Sequence, residues 1–154
     1  MIFGSDQNLN LQRDQEIIET LNKKGAQITW LEESDTEKIT KRKLINLLST
    51  KHWDILFVAG HSYSCYDQDN QENGMLLLSE DENISLRELQ TSLKKAAKKG
   101  LKICIFNSCD GLFLARNCAT FGIPKIIFMR EPIPDQVAHD FLEAFLLQFS
   151  QGES

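Results

Sequence analysis

A histidine and a cysteine stand where two apolar runs end. Asp54-Ile55-Leu56-Phe57-Val58-Ala59-Gly60 leads into His61, and Ile103-Cys104-Ile105-Phe106-Asn107-Ser108 leads into Cys109, 48 positions later. Short apolar runs of this kind are written by buried strands. In open α/β sheets, sites form at the carboxyl ends of the strands. A thiol near pH 7 is only a few per cent thiolate, and an imidazole within reach raises that fraction or takes the proton as substrate binds. The pair therefore suits nucleophilic attack on a carbonyl. The oxyanion that results needs preorganised donors, each contributing on the order of 3 kcal/mol to the barrier. The backbone N–H groups of Ser62 and Cys109 are the expected donors, because each sits where a strand breaks. His61 would also protonate the leaving amine. Asp110 adjoins the cysteine, and a carboxylate aimed at the sulfur would oppose thiolate formation, so it is expected to point away or to be paired.

The other candidates are weaker. Cys104 reads as a strand-core residue and Cys118 as a helix residue packed on the sheet, since free cysteines commonly behave as small buried hydrophobes. His52 precedes a strand and His139 falls in the last helix, and both read as ordinary structural histidines. The four cysteines form no CxxC pair and no Cys/His spacing of metal-ligand type, so zinc is not expected.

The elements that would position the pair alternate along the chain. Met1–Phe3 reads as the tail of a strand, and Leu9–Lys24 as a helix with Ile17, Ile18 and Leu21 on one face. Ala26–Leu31 reads as a strand, Thr36–Leu48 as a helix, and Asp54–Gly60 as the strand before His61. Ser62–Asn73 reads as a polar loop, and Gly74–Leu78 as a short hairpin arm. Ser85-Leu86-Arg87-Glu88 is a capping box; it opens a helix through Leu86, Leu89, Leu93 and Ala96, closed by Gly100. Leu101–Asn107 is the next strand, Gly111–Phe121 a helix, and Lys125–Met129 the last strand. Asp135 is the expected N-cap of a final helix running to Phe149. This alternation predicts an α/β fold, a three-layer α-β-α sandwich with a mainly parallel sheet.

Length, at 154 residues, suits one domain. A net charge of −5 argues against nucleic acid or an anionic membrane as partner. The local cluster Lys94, Lys95, Lys98, Lys99 and Lys102 reads as a solvated helix face with favourable C-terminal cations. No leader peptide and no membrane-spanning apolar run is evident, so a reducing, cytoplasmic setting is expected.

The motifs Val58-Ala59-Gly60-His61, Gly74-x-Leu76-x-Leu78, Ile105-Phe106-Asn107-Ser108-Cys109-Asp110-Gly111 and Met129-Arg130-Glu131-Pro132-Ile133-Pro134-Asp135-x-Val137-Ala138 together closely resemble a CHAT domain, the caspase-like cysteine peptidase family related to separases, caspases and gingipains. The resemblance runs from about Ile2 to Gly152. The 48-residue spacing is also near the roughly 50 residues that separate histidine and cysteine in caspases. Asn107-Ser108-Cys109-Asp110-Gly111 keeps the caspase Cys-x-Gly and lacks the Gln-Ala before it.

The resemblance implies a caspase-haemoglobinase-like fold, endopeptidase activity on protein or peptide substrates without cofactor, and His61 and Cys109 as the catalytic dyad. It places Asp135 where separase-like relatives carry an acidic residue for a basic P1 side chain. Ser62 stands where such enzymes often have glycine. The chain begins mid-strand and ends at Gly152-Glu153-Ser154, where such domains continue. It therefore reads as a single domain over residues 1–154, excised from a longer protein whose other domains regulate it. Exposed sheet edges would then allow a homo-oligomer. Two other readings stay open: a caspase-like interaction module without activity, and a flavodoxin-like or nucleotide-binding domain, for which Gly4-Ser5-Asp6-Gln7-Asn8 offers a single glycine.

Overall fold

The computed structural model describes residues 2–4, 11–32, 39–66, 72–79, 81–108, 111–128 and 134–151. Its centre is a pair of parallel strands, β3 (Ile55–Ala59) and β7 (Ile103–Asn107). Neither alternates apolar with polar residues, so both faces of the sheet must be covered. Leu56, Val58, Cys104 and Phe106 belong to one core, and Phe57, Ala59, Ile103 and Ile105 to the other.

Three more strands complete the sheet: β1 (Ile2–Gly4), β2 (Trp30–Glu32) and β8 (Lys125–Phe128). The order is β2-β1-β3-β7-β8 and every pair is parallel. Helices α1 (Leu11–Asn22) and α5 (Asp135–Ser150) cover one face, through Ile17, Ile18, Leu142 and Leu146. Helices α2 (Lys41–Thr50), α3 (Leu86–Lys98) and α4 (Gly111–Ala119) cover the other, through Leu44, Leu48, Leu89, Leu93, Leu114 and Cys118. The fold is a three-layer α-β-α sandwich on a parallel sheet, as the alternation of elements predicts. A second, antiparallel sheet of β4 (Ser62–Tyr66), β5 (Glu72–Leu77) and β6 (Asn83–Ser85) follows directly on β3. Its Leu76 and Ile84, with Leu78 just beyond β5, are buried in the core that α3 shares.

Local signals act where expected. The Ser85 hydroxyl accepts from the Glu88 N–H and the Glu88 carboxylate accepts from the Ser85 N–H, so the capping box opens α3. The lysine cluster lies around the end of α3. Lys99 Nζ donates to the carbonyls of Ser49 and Thr50 at the end of α2, which has no basic residue of its own there. Lys102 pairs with Asp54 at 2.6 Å.

Several boundaries differ from expectation, among them that β5 begins at Glu72 and that Asn83–Ser85 is a strand. Ser62–Tyr66 is a strand, not a loop; its polar residues suit an exposed edge strand held by β5. β2 is Trp30–Glu32, paired in register with Ile2–Gly4 of β1, and Ala26–Thr29 are not in a strand. Helix α2 begins at Lys41, with Thr40 as N-cap accepting from the Lys43 N–H. Asp135 is not the N-cap of α5: Pro134 holds that position, without a side-chain hydrogen bond, and Asp135 is the first helical residue. Met1, the residues 5–10 that include the expected start of α1, and Met129 lie outside the described residues.

Candidate functional site at the carboxyl ends of β3 and β7

Strands β3 and β7 pair in one register, Ile55 opposite Ile103 through Ala59 opposite Asn107, a constant offset of 48. The same offset separates His61 from Cys109 in the sequence. Cys109 and Asp110 lie outside the described residues, so the site is described from His61, Ser62 and the chain as far as Ser108.

Past the last register pair the two strand ends stay bonded. The Gly60 N–H donates to the Asn107 carbonyl at 3.3 Å. Two residues on, the Ser62 hydroxyl donates to the Ser108 hydroxyl at 2.8 Å. His61 lies between these two links, half-buried. Gly60 permits the turn into it: its φ of +148° is backbone that residues with a Cβ rarely adopt.

His61 is also held from the antiparallel sheet. The Leu77 N–H donates to the His61 carbonyl at 3.0 Å. In an antiparallel ladder that bond makes the adjacent Ser62 and Leu76 a non-hydrogen-bonded pair, which turns the Ser62 N–H away from β5. β4, absent from the expected layout, thus orients one of the two expected oxyanion donors. Sequence reasoning missed it because Ser-Tyr-Ser-Cys-Tyr carries no apolar alternation.

Below Asn107 lies a buried polar cluster. The Asn107 side-chain amide donates to Asp14 Oδ2 at 3.1 Å, and His139 Nε2 lies 3.6 Å from Asp14 Oδ1. Asp14 comes from α1 and His139 from α5, and both are buried. A signal for Asp14 was present: it sits three, four and seven positions before Ile17, Ile18 and Leu21, on the face that α1 buries.

The remaining thiols separate by environment. Cys104 and Cys118 are fully buried. Burial pushes the Cys118 thiol up to about 12. It raises Cys104 well above the ordinary range too, with the neighbouring Cys118 adding to the shift. Neither forms thiolate near neutral pH, which bears out their reading as packing residues. Cys65, on β4, is half-buried. His52 is exposed and its ring lies against Gly100. His139 has a structural place, in the cluster with Asp14.

A cavity of about 590 Å³, lined among others by Ile18, Gln27, His52, Asp54, Phe57 and Leu146, opens at the amino ends of β2 and β3, the rim opposite His61. Among the described residues no group of three His, Cys, Asp or Glu side chains is placed to hold a metal ion. Among them, too, no helix is long and apolar enough to cross a membrane.

Residues 11–154 match the family model of the CHAT domain. The chain belongs to the CHAT domain family. No curated protein and no solved structure matches it. The CHAT family is related to the caspase-like cysteine peptidases, which gives the geometry between β3 and β7 its chemical context. In this CHAT domain, His61 lies between β3 and β4, and Ser62 opens β4 beside the end of β7. Asp135 begins α5, the helix that follows β8.

Proposed function

We propose that this CHAT domain is a cysteine endopeptidase in which His61 and Cys109 form the catalytic dyad. The observation that carries the reading is the shared offset of 48. The β3–β7 register and the two hydrogen bonds beyond it bring the His61 turn against Asn107 and Ser108, and Cys109 is the next residue. Adjacent strands lie about 4.8 Å apart, which suits a base and a nucleophile that must come within hydrogen-bond reach. The caspase-haemoglobinase-like character of the fold belongs to this same reading.

His61 takes the thiol proton as the Cys109 sulfur attacks the scissile carbonyl. The negative charge that develops on the carbonyl oxygen is met by the backbone N–H groups of Ser62 and Cys109. The tetrahedral intermediate collapses to a thioester as His61 returns the proton to the departing amine. His61 then draws a proton from water, which attacks the thioester and releases the new carboxylate and the free thiol. The substrate is a protein or peptide, cleaved in the cytoplasm under the control of other domains of the parent chain. Asp135 supplies a carboxylate for a basic P1 side chain. No nucleic acid, membrane or cofactor takes part.

The test is hydrolysis of fluorogenic peptides carrying Arg, Lys, Leu or Asp at P1. Cys109→Ala is expected to abolish turnover, and His61→Ala to lower it by about 10²- to 10⁴-fold. Asp135→Ala is expected to remove cleavage after Arg and Lys selectively; equal loss at every P1 residue refutes the pocket assignment. Turnover that survives Cys109→Ala refutes the dyad.

A further inference from the structure

Asp14, Asn107 and His139 stand 93 and 32 positions apart along the chain and meet beneath the carboxyl end of β7. Asp14 is 4% exposed and His139 7%. A buried carboxylate is costly unless its oxygens are met by donors, and an apolar side chain in such a place is often at least as stable. Asp14 is therefore a poor choice for packing alone. What it touches gives it another role. Asn107 is the last residue of β7, and it is gripped on two sides: its side chain by Asp14, and its carbonyl by the Gly60 N–H of the His61 turn. The next residue, Ser108, is held by Ser62. Asn107 is thus the joint between the helix layer of α1 and α5 and the two strand ends that carry the dyad.

We propose that Asp14 is a positioning residue, acting through Asn107 to fix the end of β7, which Ser108 and Cys109 directly follow in the chain, against the His61 turn. The inference rests on the peptidase reading for its consequence in catalysis, and on the described side chains for its geometry. His139 Nε2 lies 3.6 Å from the other carboxylate oxygen, so the hydrogen bond from Asn107 is the direct link of Asp14 to the strand end. In-line attack demands reacting atoms about 3–3.5 Å apart, and a misplacement of about 1 Å lowers the rate on the order of 10²-fold. Loss of the Asp14 anchor acts on that distance while leaving the substrate-binding surface in place. Its signature is a fall in kcat with KM nearly unchanged.

The experiment compares Asp14→Ala, Asp14→Asn, Asn107→Asp and the exchanged pair Asp14→Asn/Asn107→Asp in the full chain. Two readouts are taken: peptide hydrolysis, and amide hydrogen exchange of residues 107–111 without substrate. Asp14→Ala should lower kcat by about 10- to 100-fold at a KM within about twofold, and speed exchange in that segment. Asp14→Asn keeps an oxygen for the Asn107 amide and should stay within a fewfold of wild type. Asn107→Asp sets two carboxyl groups against each other and should lose kcat, and the exchanged pair should recover much of it by restoring one donor and one acceptor. Leu142→Ala, which loosens the same helix layer and leaves the Asp14–Asn107 hydrogen bond its two side chains, is the control. The proposal is overturned if Asp14→Asn falls as far as Asp14→Ala, if the exchanged pair recovers nothing, or if Leu142→Ala gives the same kcat loss. A wild type that hydrolyses no peptide refutes the peptidase reading instead. The exchange rates then decide the positioning role alone: faster exchange of residues 107–111 in Asp14→Ala but not in Asp14→Asn upholds it, and unchanged exchange overturns it.

Discussion

Replacing Ser62 and Ser108 by alanine, singly and together, measures the clasp between the two strand ends. The hydroxyls meet at 2.8 Å, and Ser108 is only 7% exposed. A neutral hydrogen bond of this kind contributes about 0.5–1.5 kcal/mol net, whereas stranding one buried partner costs about 1–3 kcal/mol. Ser62→Ala strands the buried Ser108 hydroxyl and should cost about 1–3 kcal/mol. Ser108→Ala leaves the hydroxyl of Ser62, which water reaches more easily, and should cost about 1 kcal/mol or less. The double variant should be more stable than the sum of the two losses predicts, with a coupling of about 1 kcal/mol. Urea unfolding of the four proteins, followed by far-ultraviolet circular dichroism, gives the cycle. The three variants should lose rate in any reaction of Cys109 that depends on His61, by about 10-fold in the double variant. Additive losses, within about 0.3 kcal/mol, would show that the two hydroxyls do not hold each other, and would remove the clasp from the account.

Other expectations follow from the packing. Cys118 has a folded-state pKa raised to about 12 from an ordinary 9.0, so its neutral burial supports the fold fully below about pH 9, and that support is lost as pH rises from there toward 12. The loss is about 1.4 kcal/mol per pH unit for each such thiol; urea midpoints between pH 8 and 10 should fall, and Cys118→Ala should flatten the slope, an unchanged slope counting against the assignment. Ser85→Ala removes the N-cap of α3 and should cost about 1 kcal/mol in urea unfolding. Gly100→Ala combines a φ of +110° with a Cβ 2.6 Å from His52 Nε2, and should lower Tm; His52→Ala in the same protein should recover the part due to the clash and not the part due to the backbone. Phe106→Ala, at 1% exposure in the core of β7, should cost about 3–5 kcal/mol.

The strands that frame the candidate site could be read from the sequence because they depend on local signals. Two apolar runs without alternation mark central strands, and their polar ends mark where β3 gives way to His61 and where β7 ends at Asn107, two residues before Cys109. The spacing of 48 equals the β3–β7 register offset. What could not be read depends on partners far away in the chain. β4 exists because β5 pairs with a polar segment whose own pattern favours a loop. β2 takes its register from β1, a partner nearly thirty residues away in the chain. Asp135 has the composition of an N-cap, yet Pro134, with its fixed φ, takes the cap position and moves the aspartate one residue into the helix. The Asp14–Asn107–His139 cluster joins residues from α1, β7 and α5, and only the packing of those three elements brings them together.

The dyad itself is tested most directly by labelling with a peptidyl chloromethyl ketone, carrying Arg or Leu at P1, and mapping the adduct by mass spectrometry in wild type, His61→Ala and Cys109→Ala. The account predicts a single adduct on Cys109, formed at least about 10²-fold more slowly without His61, with Cys65 unlabelled and Cys104 and Cys118 protected by burial. An adduct on Cys65, or labelling of Cys109 at the same rate with and without His61, would contradict it and leave a CHAT domain that works by binding partners.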